Sequence, residues 1–148
     1  MILDKQNLFS DQQSLAGTGN ILSTNVIDLG VAGTLAKDGT TIRNDVGRGE
    51  EPKVFAQITA DVSGGTSVQL QLVQADDSAM STNLEVLEQT DAIAVATLKA
   101  GYQFRLTRIP PGVTRRYLAM RYVVVGTITS GSATAGVVLD RFTNVNIG

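Results

Sequence analysis

The chain has 148 residues, with 12 Lys and Arg against 14 Asp and Glu, and it contains no cysteine, histidine or tryptophan. Without cysteine it can form neither disulfides nor thiolate metal sites. Without histidine it lacks the usual general base and commonest metal ligand, so Ser-His-Asp and Cys-His catalytic arrangements are excluded.

Val, Ile and Thr supply 41 residues, and these β-branched side chains are stiff and pack well on a pleated sheet. With 15 Gly for turns and three Pro, the composition reads as mainly β. No stretch approaches the roughly 20 apolar residues of a membrane span. The start, Met1-Ile2-Leu3-Asp4-Lys5, lacks the basic-then-apolar layout of a secretory signal, so cytoplasmic synthesis is expected. Charge is uneven: residues 1–100 carry six Lys and Arg against 13 Asp and Glu, and residues 101–148 carry six against one. Oppositely charged halves suit association with another protein or with further copies of the chain. Interleaving of strands from both halves would instead mix the charges on one surface.

In chain order, residues 1–20 hold few large apolar groups and are expected to form an irregular arm, leaving residues 21–148 as a single domain. A short strand is expected over 25–29, followed by a glycine-rich loop over 30–51. Long loops in compact domains tend to be functional. Residues 54–62 alternate strictly, with Val54, Ala56, Ile58, Ala60 and Val62 on one face. Ser63-Gly64-Gly65-Thr66 reads as a tight turn, and Val68, Leu70 and Leu72 resume the alternation, which predicts a β-hairpin. Residues 84–89 and 92–98 are further strand candidates. Tyr102, Phe104 and Leu106, then Leu118, Met120, Tyr122 and Val124, predict a second hairpin across Pro110-Pro111-Gly112. Residues 127–136 read as a small-residue loop before a last strand over 137–142. About eight short strands with regular turn signals indicate an all-β antiparallel sandwich or jelly roll.

Motifs that would carry chemistry are weak. Gly17-Thr18-Gly19 has neither the flanking elements nor the third glycine of a dinucleotide loop. Asp76-Asp77-Ser78 lacks the alternating acids and distal glutamate of a calcium loop. Glu50, Glu51, Glu85 and Glu88 could pair as glycosidase carboxylates only if the fold placed them about 5–10 Å apart. Arg105, Arg108, Arg115, Arg116 and Arg121 form one basic cluster. Their forked guanidiniums suit carboxylates at a protein interface better than nucleic acid, given the sequence pI of about 5.0.

Several segments resemble the Bbp16-like phage capsid cement proteins. They are the opening Met1-Ile2-Leu3-Asp4-Lys5-Gln6-Asn7-Leu8-Phe9-Ser10-Asp11-Gln12-Gln13, then Val26-Ile27-Asp28-Leu29-Gly30 and Asp45-Val46-Gly47-Arg48-Gly49-Glu50. Leu98-Lys99-Ala100-Gly101-Tyr102, Pro110-Pro111-Gly112, Arg116-Tyr117-Leu118 and Thr134-Ala135-Gly136-Val137-Val138-Leu139-Asp140 complete the set. The resemblance implies a jelly-roll sandwich that dimerises on the outer surface of a tailed-phage head and clamps neighbouring major capsid subunits. It implies no catalytic residue, no cofactor, no metal, and no nucleic-acid, membrane or small-molecule partner. Chosen on chemistry alone, the expected partner contacts are Leu3, Asp4, Lys5, Leu8 and Phe9 in the arm and Arg43, Asp45, Arg48, Glu50 and Glu51 in the long loop, with Arg115 and Arg116. The competing expectation is a carbohydrate-binding jelly roll on a phage head or tail, for which only Tyr102, Tyr117 and Tyr122 could serve as platforms.

Overall fold

The computed structural model describes residues 4–42, 44–106 and 108–138. Strand β8 (Tyr117–Val138) runs 22 residues and organises the whole fold. One side of it is lined throughout by β1 (Leu8–Ser14), β2 (Gly17–Leu22) and β3 (Ile27–Asp28), from Leu8 opposite Gly136 to Asp28 opposite Tyr117. The other side is lined by β4 (Lys53–Gly64) and β5 (Ser67–Ala75), from Lys53 opposite Val138 to Ala75 opposite Tyr117. Outside these, β6 (Glu85–Gln89) and β7 (Ile93–Ala94) pair with β5. The described residues of 98–109 follow β4, with Ile58 N donating to Tyr102 O, Phe104 N to Ala56 O and Ile109 N to Pro52 O.

This long four-ribbon sheet bends in the middle and folds onto itself. One layer runs β1, the C-terminal half of β8, β4, then residues 98–109. The other runs β2 with β3, the N-terminal half of β8, β5, then β6 with β7. Two antiparallel layers in this order, one of them edged by a segment held through isolated bridges and not by a full strand, make a jelly roll, so the expected fold class holds. The bend falls where glycines let backbones cross: Gly64 (φ 76°) and Gly126 (φ 82°) both adopt the left-handed region. A Cβ on Gly64 would lie 2.7 Å from Thr127 O, and one on Gly126 would lie 2.9 Å from the Cα of Gly65. Register shifts between Ile58 and Gly64 add to the turn of the sheet.

Four expectations are corrected. Strands β4 and β5 do not pair with each other; both lie on β8, so Ser63-Gly64-Gly65-Thr66 is a sheet corner and not a hairpin turn. Residues 102–106 and 118–124 likewise form no hairpin: the first segment follows β4 and the second pairs with β5, while Thr107 lies outside the described residues. Residues 127–136 are not a loop but the second half of β8. The described part of residues 1–20 is not an arm: from Leu8 onward it forms β1 and most of β2, docked on β8. Three side chains bind that docking together. The buried Tyr122 hydroxyl donates to Ser10 Oγ at 3.0 Å, Ser10 donates to Gln13 Oε1, and Gln13 Nε2 donates to Leu22 O. Gln13 Oε1 also accepts from Thr24 N.

The core lies between the layers. Val54, Ile58, Leu70, Leu72, Leu118, Met120 and Tyr122 meet Phe9, Leu15, Phe104 and Leu106 there, as the period-2 alternation requires. A smaller cluster of Val73, Ala75 and Ala119 on the outer face of the second layer is covered by Met80 from the turn after β5.

Candidate functional site

In a jelly roll of this connectivity the loops sort to two ends. The corner holds the small residues near Gly64, Gly126 and Gly17. The opposite end collects residues 29–52, 76–84 and 110–116, together with the short 3-10 turn Lys5–Asn7. Most of the expected contact residues meet at this second end, and its construction can be followed residue by residue.

Residues 29–52 are pinned across the end of the sandwich. The Asp45 carboxylate accepts from Gly112 N at 3.1–3.2 Å and from Val113 N at 3.2 Å. Gly47 is buried so closely against the Pro110 carbonyl that no Cβ would fit. Glu51 pairs with Arg108 at 2.6 Å. The arginines beside the loop are also committed. Arg116 clasps Asp28 in two parallel hydrogen bonds of 2.7 Å and lies 5.0 Å over the Tyr117 ring. That guanidinium, with help from Gly30 N–H, holds the Asp28 carboxyl at about 2, below its ordinary 3.8. Arg115 donates to both oxygens of Asp76, whose carboxyl is lowered first by the Asn83 side chain and then by Arg115. Arg121 donates to Gln71 at 2.7 Å. Of the five clustered arginines, only Arg105 has no partner among the described residues.

The expected contacts therefore divide. Asp4, Lys5, Arg48 and Glu50 are exposed, and Asp4, Glu50 and Glu51 border one groove with Lys53, Val137 and Val138. Asp45, Glu51, Arg115 and Arg116 stand at the same end but hold the fold together. Leu8 and Phe9 are corrected outright: both are buried, Phe9 completely, in the core. Leu3 and Arg43 lie outside the described residues. Asp76-Asp77-Ser78 is a closed turn, since the Asp77 carboxylate accepts from Ser81 N, Ser81 Oγ and Thr82 N. Among the described residues no cluster of acids could hold a metal, and no helix is long and apolar enough to cross a membrane.

Sequence reasoning missed the most exposed apolar feature. Residues 33–42 form a small hairpin: Thr34 pairs with Thr41, Leu35 N donates to Thr40 O, and Ile42 N donates to Gly33 O. The Asp38 carboxylate accepts from Thr40 N and closes the tip. Asp38-Gly39 is a recognised hairpin signal, but the surrounding glycines made the segment read as unstructured. Val31 is 76% exposed, Leu35 49% and Ile42 45%. A groove of about 600 Å³ runs between this hairpin and Asp76, Arg115 and Arg116. Of the three tyrosines, Tyr122 is buried and Tyr117 carries the Arg116 guanidinium. Tyr102 borders a groove, half-buried and edge-on to Phe104 at 5.5 Å.

The family model Bbp16 matches residues 9–137. No curated protein matches the chain.

Proposed function

The chain belongs to the Bbp16 family, and on that premise we propose that it is a capsid cement protein, acting without catalysis on the outer surface of a tailed-phage head. It acts as a dimer that bridges major capsid subunits. The observation that carries this reading is the loop end of the sandwich, where the hairpin exposes Leu35 and Ile42, and Val31 just before it is exposed too, beside a base tied down by Asp45, Asp28–Arg116 and Arg115–Asp76. Large apolar side chains left exposed in one short segment are the kind of feature that marks a protein contact. Surface loops on a sandwich also gain binding energy by being held in place beforehand.

The test is co-sedimentation with expanded, cement-free capsids, scoring saturable binding and the temperature at which the shells rupture. Wild-type protein should bind and raise that temperature. Leu35→Asp with Ile42→Asp should reduce binding at least tenfold while leaving the protein's own stability within about 0.5 kcal/mol, because neither side chain is buried. Failure of the folded wild-type protein to bind would sink the cement reading, and binding unaffected by the double substitution would move the contact off the hairpin.

A further inference from the structure

The charge asymmetry of the sequence reappears as geometry on one side of the sandwich. The outermost ribbon, residues 85–109, supplies the edge of both layers. Its first half, over 85–94, carries Glu85, Glu88 and Asp91 and no cation; its second half, over 98–109, carries Lys99, Arg105 and Arg108 and no acid. Because the ribbon bends with the sheet, the two halves lie one above the other, and a groove of about 480 Å³ separates Gln89, Asp91 and Ile93 from Tyr102 and Arg105. The side face is thus an acidic strip stacked on a basic strip.

Some of this charge is used within the chain. Lys99 meets Asp61 at 3.5 Å, Arg108 meets Glu51, and Glu85 accepts from Gln74. Arg105 and Asp91 are exposed with no ion pair, and one oxygen of Glu88 is buried with no hydrogen-bond partner, all among the described residues.

We propose that two copies of the chain join through this side face, the acidic strip of each against the basic strip of the other. This rests on the dimeric reading above and names its surface. A two-fold axis lying in the contact plane along the strands places residues 85–94 of each copy against residues 98–109 of its mate, so both junctions are attractive and identical. The other in-plane axis, across the strands, sets acidic strip on acidic strip and basic on basic. Like-charge juxtaposition opposes that arrangement and also blocks edge-to-edge strand addition. A face about ten residues long and two layers deep offers roughly 600 Å² per copy, near the ~800 Å² per partner of a standard interface.

Sedimentation analysis of the full chain tests this. Arg105→Glu alone, and Asp91→Lys with Glu88→Lys, should each weaken dimerisation at least tenfold. An equimolar mixture of the two variants should recover dimers containing one copy of each, because both junctions are then attractive. Circular dichroism checks folding, and Asp91→Lys alone replaces the double variant if Glu88→Lys disturbs the fold. Dimers indifferent to both charge reversals would overturn this surface while leaving the dimer intact. A wild-type chain that stays monomeric at every concentration would overturn the dimer itself, and this surface with it.

Discussion

Phe9 and Asp28 show how much of the N-terminal segment is structural. Phe9 has no exposed surface and packs in the main core, so Phe9→Ala should cost about 3–5 kcal/mol, the range for truncating a buried aromatic. Urea denaturation would measure it, and a loss below 1 kcal/mol would mean that residues 8–14 are as dispensable as an arm. Asp28 sets a pH dependence. Its folded pKa of about 2 lies below its ordinary 3.8, first through the Arg116 hydrogen bonds and then through Gly30 N–H. A depressed carboxyl stabilises the fold fully above its unfolded value and loses that contribution as pH falls through the folded one. The Asp28–Arg116 clasp should therefore be intact above about pH 4 and fade towards pH 2. A carboxyl-carbon NMR titration should place the Asp28 midpoint near 2, and Arg116→Ala should return it towards 3.8. A midpoint near 3.8 in the unaltered protein would show that the clasp is not held in solution.

At the scale of elements, the corner decides the fold. Gly64→Ala puts an L side chain at φ 76° with its Cβ against Thr127 O, whereas Gly30→Ala, at φ 83°, meets nothing within 4 Å. The first should cost about 2–4 kcal/mol, combining left-handed strain with a backbone clash, and the second about 1–2 kcal/mol from strain alone. Equal urea midpoints for the two variants would show that the strands do not cross tightly at the corner. The same glycines explain what the sequence concealed. Alternation at 54–58, 68–72 and 118–124 located the core faces, because period 2 is a local property, but the register shift after Ile58 turns Ala60, expected on the core face, out to solvent. Pairing is not local: Gly64-Gly65 between two alternating runs reads alike whether the strands fold back on each other or continue along a shared neighbour. Residues 127–136 read as a loop because their side chains are small, yet β1 and β4 flank them on both sides and Ala133 and Ala135 still face the core. In residues 8–14, Leu8 and Phe9 are the only large apolar side chains among polar ones, too few to signal a strand. At the candidate site, chemistry alone picked Asp45, Arg115 and Arg116, which the fold gathers at one end of the molecule. It could not tell a carboxylate offered to a partner from one already satisfied by Gly112 and Val113.

The whole molecule is a rigid sandwich with two separate outward features, a hairpin at its loop end and a charge-sorted side face. The strands between them are joined by pairings as distant as Leu8 with Gly136, so the sheet fixes the base of the hairpin, at Asp28 and Asp45, relative to the side face. On the proposed capsid role, the side face sets the distance between two hairpins, and each dimer engages the shell twice. Once one hairpin is seated, the second binds at an effective concentration set by a stiff linker, which raises overall affinity by about 10²–10⁴ when the spacing matches. Arg105→Glu alters no residue of the hairpin or its base. It should nevertheless weaken capsid binding about 100-fold or more, with each remaining monomer still able to occupy a single hairpin site. Adding the Asp91→Lys, Glu88→Lys partner should restore the loss, and a hairpin-deficient version of that partner should not. Equal capsid affinity for the monomeric and dimeric forms in a co-sedimentation titration would show that the hairpins act singly, and would leave the side face without a part in clamping the shell.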